Sequence, residues 1–178
     1  MMRKKPMLAY PVSDKPINYD DKISMQPKLD GVRCVIQCEW PTPMQPVVKA
    51  YSRTGKEWKN IDHILFNLKP WFALNPNVIL DGELYNHGLK NDFEKIISLV
   101  RKTKPTDEDR LESAQYVEFH CYDIIDETKT FEERNMFITQ TVPRNHTVKH
   151  VKTQALATES LTKVVHQQNL DNGYEGSI

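Results

Sequence analysis

The stretch Lys28-Leu29-Asp30-Gly31-Val32-Arg33-Cys34-Val35-Ile36-Gln37-Cys38-Glu39-Trp40 holds the two signals on which the fold turns. A lysine, a carboxylate and a glycine read as a tight loop, and the β-branched, partly alternating run over 32–40 reads as a strand. Glycine permits the sharp turn, so Lys28 can be held rigidly against a ligand while Arg33 returns on the strand. A lysine so placed is a point-charge phosphate binder, or a nucleophile once deprotonated. At an ordinary lysine pKa near 10.4, only about one in a thousand is neutral near pH 7.5. A nucleophilic role therefore demands nearby cations or a metal. Taken alone, the loop is equally a surface turn with a solvated Lys–Asp pair.

Outward from this stretch, the chain alternates strands and helices without clean βαβ order. Pro41, Pro43 and Pro46 predict a turn and residues 47–52 a second strand, making a hairpin. Upstream, Pro6, Pro11 and Pro16 predict an extended lead-in. Downstream, Ile61, Ile64, Leu65 and Leu68 are spaced for a helix over 61–74, ended or kinked by Pro70. A buried strand is expected over 78–85. Asn91 and Glu94 have the spacing of a capping box before Phe93, Ile96, Ile97 and Val100. Residues 102–114 read as a polar surface excursion, 116–125 as a strand, and Thr130 with Glu133 as a second capping box opening a helix over 131–140. A strand near 147–152, a helix near 159–171 and the start of a strand at 174–178 complete the reading. The class is α+β with antiparallel sheets.

Composition narrows the function classes. The 178 residues, 39% of them apolar and 27% charged, suit one domain with a real core. Lys and Arg number 24 against 24 Asp and Glu, which excludes a polycation that coats nucleic acid indiscriminately and leaves room for a local basic patch. No apolar run approaches the roughly 20 residues that span a bilayer. The basic Met1–Lys5 start, followed by Pro6, is not a secretory signal. Three cysteines, Cys34, Cys38 and Cys121, form no disulfide framework and suggest a reducing, intracellular compartment.

Three further segments carry chemistry. Asp81-Gly82-Glu83-Leu84-Tyr85 sets two carboxylates about a glycine in an otherwise apolar strand, either a metal or ribose ligand or a strand end with a glycine bulge. In Phe119-His120-Cys121-Tyr122-Asp123-Ile124-Ile125, alternation predicts Phe119, Cys121 and Asp123 on one face and His120, Tyr122 and Ile124 on the other. An aromatic beside a carboxylate suits stacking on a base, and suits plain core equally. Glu175-Gly176 means nothing alone. Of only six glycines, Gly31, Gly55, Gly82 and Gly176 fall in these short segments or in Ser52-Arg53-Thr54-Gly55. The order and spacing of all the segments together arise by chance in well under about one chain in a thousand.

In that order the segments resemble motifs I, III, IIIa and IV of the covalent nucleotidyltransferases, the superfamily of ATP-dependent DNA ligases, RNA ligases and mRNA capping enzymes. The resemblance is greatest to the small ATP-dependent DNA ligases. Lys28-Leu29-Asp30-Gly31-Val32-Arg33 is similar to their K-x-D-G-x-R, Ser52-Arg53-Thr54-Gly55 to their motif Ia, and Pro6-Met7-Leu8-Ala9 to a segment upstream. Glu175, where capping enzymes usually have Asp, favours a ligase. The resemblance implies an ATP-grasp-like nucleotidyltransferase domain with antiparallel sheets flanked by helices. It covers residues 1–178 as an adenylation domain truncated at motif IV, without the motif V lysine pair and the OB-fold domain.

The resemblance also implies the chemistry. Lys28 forms lysyl-AMP from ATP, AMP passes to the 5′-phosphate of a nick, and the 3′-hydroxyl seals it. Asp30 serves the later steps. Arg33 meets the ribose or a phosphate, Tyr122 stacks on adenine, and Glu83 and Glu175 hold ribose and Mg²⁺ or Mn²⁺. Gln26 stands where some members have a glutamate near the adenine amino group. Arg53, with Ser52, grips the nick phosphate. The implied partners are ATP and nicked duplex DNA, not a membrane, with the chain a monomer inside the cell: the cytoplasm of a bacterium or phage-infected cell, or a nucleus. The alternatives are an RNA ligase, a capping-type enzyme, or a non-catalytic nucleotide- or DNA-binding remnant. Without motif V and the OB-fold, residues 1–178 alone are expected to bind nicked duplex weakly and not to seal it.

Overall fold

The computed structural model describes residues 1–42 and 45–178. Nine strands are described: β1 Ile23–Met25, β2 Pro27–Lys28, β3 Val32–Thr42, β4 Gln45–Tyr51, β5 Ile79–Tyr85, β6 Glu118–Ile124, β7 Val148–His150, β8 Gln154–Leu156 and β9 Gly176–Ser177. The helices are α1 Asp62–Leu74, α2 Phe93–Val100, α3 Asp107–Tyr116, α4 Phe131–Thr141 and α5 Glu159–Asp171. They fall into two compact units, residues 1–6 with 31–150 and residues 7–30 with 151–178.

The larger unit is a five-stranded sheet in the order β4-β3-β5-β6-β7, antiparallel except for the β6–β7 pair. The mixture of helices and largely antiparallel strands is the α+β class expected. Strand alternation sends Cys34, Ile36 and Cys38 of β3, Leu80 and Leu84 of β5, and Phe119 and Cys121 of β6 into one core. Ile64, Leu68, Trp71 and Phe72 of α1, Ile96, Leu99 and Val100 of α2, and Ile138 of α4 complete it. All three cysteines are free and buried. The hairpin of β3 and β4 forms as expected; Pro41 and Pro46 lie within its strands, and Pro43 lies outside the described residues.

Four expectations need correction. Pro70 does not end α1, which runs on to Leu74. The carbonyl left without a partner belongs to Phe66, itself 79% exposed, where water can take the bond. Asn91 is not the cap of α2: Asp92 holds that position without a side-chain cap bond, and its N–H goes to Leu89 O (2.8 Å), so the 3₁₀ turn His87–Leu89 sets the start. The polar stretch 102–114 is no mere excursion, since it contains most of α3. That helix has no apolar stripe and buries only Ser113. A capping box of Thr106 and Asp109 starts it, and Asn60 docks it by donating to Asp109 O (3.1 Å).

The fourth concerns β6. Leu80 pairs with Ile124 and Asp81 with Asp123, but Gly82 pairs with Cys121, so Tyr122 is an extra, unmatched residue. This β-bulge reverses the alternation. Ile124 therefore joins Phe119 and Cys121 in the core, and Asp123 moves to the face of Asp81 and Glu83.

The smaller unit pairs β1 with β8 and β2 with β9, both antiparallel, and adds α5. Its core is Met25, Leu156 and Val165. Among the described residues no helix is long and apolar enough to cross a membrane.

Candidate nucleotide and nick site

In the larger unit, the sheet face opposite the core gathers Arg33, Asp81, Glu83, Tyr122 and Asp123. Cross-strand pairing places Arg33 beside Glu83 and Asp81 beside Asp123. Arg33 grips Asp81 with both arms of its guanidinium, Nε to Oδ1 at 2.7 Å and Nη2 to Oδ2. The guanidinium also lies over the Tyr122 ring, 5.1 Å from its centroid. Tyr122 donates its hydroxyl to Glu83 Oε2 at 3.3 Å. Burial, with the Asp81 and Glu83 carboxylates near, pushes the Tyr122 phenol far above its usual range, so it stays a donor.

Asp81 is almost fully buried. Burial, reinforced by Asp123, outweighs the guanidinium and pushes its carboxyl up to about 6. Asp123 has its own cation: Arg134 of α4 donates Nε to Oδ1 (2.7 Å) and Nη2 to Oδ2 (3.0 Å). Two carboxylates thus face each other across β5 and β6, each held by one bidentate arginine.

The glycines of motifs I and III are fixed by close approach. A Cβ on Gly31 would come within 2.6 Å of both Glu83 Cγ and Leu84 O. One on Gly82 would stand 2.4 Å from His120 O and 2.5 Å from the Phe119 ring. Neither clash is with the free end of a flexible chain, so both positions require glycine.

In the smaller unit, Lys28 lies opposite Gly176 on β2 and β9, and its ammonium pairs with the Glu175 carboxylate. The Glu175 N–H donates to Lys28 O at 3.1 Å. Gln26 exchanges backbone bonds with Ile178 and donates its amide to Thr153 Oγ1 (2.9 Å). Asp30, just after β2, is exposed. Ser52 and Arg53 lie in the larger unit, in the turn after β4. There Ser52 accepts at its backbone oxygen from Gly55 N (2.9 Å) and at its hydroxyl from Lys56 N (3.0 Å), which leaves Arg53 exposed at the tip.

The family comparison settles what this combination belongs to. The model of the ATP-dependent DNA ligase domain matches residues 6–178. The chain belongs to that family. No curated protein matches the ligase domain significantly. Solved structures share its fold. A Lig E DNA ligase, described as binding DNA with a minimal scaffold, is 22% identical with a TM-score of 0.66, over 99% of this chain and 61% of its own. The Chlorella virus DNA ligase-adenylate is 19% identical with a TM-score of 0.57, over 86% of this chain and 51% of its own. An archaeal ATP-dependent RNA ligase is 16% identical with a TM-score of 0.63, over 99% of this chain and 44% of its own. The ligase domain therefore spans about two fifths to three fifths of these proteins.

Of the residues singled out in the sequence of the ligase domain, Arg33, Glu83 and Tyr122 come together in one unit, and Lys28 and Glu175 in the other. Arg134 escaped notice as a site residue because Glu133 beside it is fully accounted for by the Thr130 cap. Among the described residues no group of three or more His, Cys, Asp or Glu is placed to hold a metal. Mg²⁺ needs no such cage: it is commonly held by one or two carboxylates, with phosphate and water in its other positions, so Glu83 or Glu175 fits as a donor.

Proposed function

We propose that the protein forms lysyl-AMP on Lys28 and passes AMP to the 5′-phosphate of a nick in duplex DNA, which its 3′-hydroxyl then seals. The observation that carries this reading is the single face shared by Arg33, Glu83 and Tyr122. It offers a guanidinium for phosphate or ribose oxygens, a carboxylate for ribose hydroxyls, and an aromatic ring for a base. Lys28 Nζ attacks the α-phosphorus of ATP; a P–N bond forms, the bond to the bridging oxygen breaks, and pyrophosphate leaves. An ammonium paired with a carboxylate has no lone pair to give. The first events in this reading are therefore the release of Lys28 from Glu175, which turns to a cation or ribose brought in with ATP, and the loss of one ammonium proton to solvent, made easier once the carboxylate no longer favours the charged form. Mg²⁺, when bound, supplies charge stabilisation on the phosphate oxygens. Asp30 then acts on the nick, and Arg53, exposed on its turn, binds the 5′-phosphate. Gln26 lies near the adenine amino group in this reading. The partners are ATP, Mg²⁺ or Mn²⁺ and nicked DNA, and the protein works as a monomer in DNA repair, replication or recombination.

The test is intact-mass measurement after incubation with ATP and Mg²⁺, followed by a nick-sealing assay, on the protein in a form that includes the motif V lysines and OB-fold domain that the resemblance implies. One AMP should be added, and Lys28→Ala and Lys28→Arg should both abolish it, since neither offers a neutral amine. An adduct that survives Lys28→Ala, or labelling by GTP alone, overturns the proposal. The likeness to an archaeal RNA ligase gives the second reading, in which nicked RNA is sealed and nicked DNA is not.

A further inference from the structure

Tyr122 is the residue left out of register at the bulge, between the Asp81–Asp123 and Gly82–Cys121 pairs. The residue after it ties the bulge to the neighbouring helix. Asp123 accepts from Ile124 N at 2.8 Å and from both arms of Arg134, so its carboxylate is tied to its own strand and to α4 at once. Arg134 in turn is buried, donates Nη1 to Lys129 O at 2.8 Å, and lies over the Phe131 ring, 5.6 Å from its centroid. A guanidinium fixed at three acceptors and a ring is a rigid clamp. Across the sheet, Asp81 is engaged by Arg33, and among the described residues the salt bridge to Asp123 comes from Arg134. Without it, a buried and a partly buried carboxylate would face each other with less cationic compensation, and Arg33, which lies over the Tyr122 ring, would be drawn toward both.

We propose that Arg134 is a positioning residue for the nucleotide base: by clamping Asp123 it fixes the bulge and sets the angle at which the Tyr122 ring meets the base. This rests on the reading of Tyr122 as the stacking partner. It assigns to α4, which holds no ligand itself, control over base recognition and not over the phosphates.

The test compares ATP with inorganic tripolyphosphate, which has the phosphates and no base, by titration calorimetry on protein shown to be folded by circular dichroism. Arg134→Gln should weaken ATP about three- to tenfold, the span of one aromatic stacking contact, and leave tripolyphosphate within about twofold. In a Tyr122→Ala background the same change should add nothing further to the ATP loss. Asp123→Asn, nearly isosteric, should reproduce the pattern and serves where Arg134→Gln does not fold. Equal weakening of both ligands, unchanged ATP affinity, or losses that multiply with Tyr122→Ala would each overturn the positioning role. If Tyr122→Ala alone binds ATP as tightly as the parent protein, the nucleotide reading of this face fails instead.

Discussion

The two units of the chain are built on different terms. The larger one buries Phe72, Phe119, Ile36 and Leu80 behind a five-stranded sheet, and holds two bidentate, largely buried arginine–aspartate pairs on the opposite face. The smaller one has two short strand pairs, four buried apolar side chains, three of which cluster, and a half-exposed Lys28–Glu175 pair. Arg33, Glu83 and Tyr122, proposed to hold the nucleotide, thus stand on the more densely packed part, and the proposed nucleophile stands with Gln26 and Glu175 on the lightly built part. The contrast suits the tasks. Holding a base and ribose rewards fixed geometry, whereas in the proposed reaction Lys28 exchanges one partner for another.

The largest test of this contrast is Phe72→Ala, which removes a ring that is 1% exposed in the main core. It should cost about 3–5 kcal/mol in denaturant unfolding and abolish slow hydrogen exchange throughout β3, β5 and β6. A loss below about 1 kcal/mol would mean that the larger unit is not the stable one.

The charged face responds to pH. Asp81 has an ordinary carboxyl value of 3.8 when unfolded and about 6 when folded, so folding favours its protonated form. Its contribution is fully present below about pH 4 and is lost as pH rises through about 6, by at most about 3 kcal/mol. Asp81→Asn should flatten that part of the stability–pH curve. A slope of the opposite sign between pH 4 and 6 that disappears in Asp81→Asn would show that the Arg33 pair outweighs burial.

In the smaller unit, Val165→Ala removes about two methylenes from a three-residue core and should cost about 1–2 kcal/mol. Its effect should be confined to amides of β1, β8 and α5; spreading into β5 would show that the units unfold as one. Thr106→Ala deletes the α3 cap and should cost about 1 kcal/mol, read as faster exchange from Asp109 onward. Glu159→Gln, which breaks a fully exposed pair with Lys163 on α5, should leave the melting temperature unchanged.

Much of this architecture is legible in the residues. The strand over 32–40 lies within β3, and the helix near 159–171 matches Glu159–Asp171, because period and flanking residues agree there. Helix α3 was missed because its stability comes from the Thr106 cap and from docking on Asn60, neither of which leaves an apolar period. The facing of Asp123 departs from simple alternation because the extra residue sits on β6, whereas the glycine that marks the bulge, Gly82, lies on the partner strand β5. Lys28, Glu83 and Glu175 stand out by motif, but that Glu175 pairs with Lys28 depends on β2 meeting β9, a contact between the two ends of the smaller unit.

The cysteines lend the molecule an internal clock. Cys34, Cys38 and Cys121 all lie in the larger unit, and the smaller one contains none. Burial pushes the Cys34 and Cys121 thiols well above their usual range, so in the folded state they are both shielded and protonated. A maleimide can reach them only when the five-stranded sheet opens. The rate of thiol labelling therefore times the opening of the core behind the five-stranded sheet, with no probe engineered into the chain.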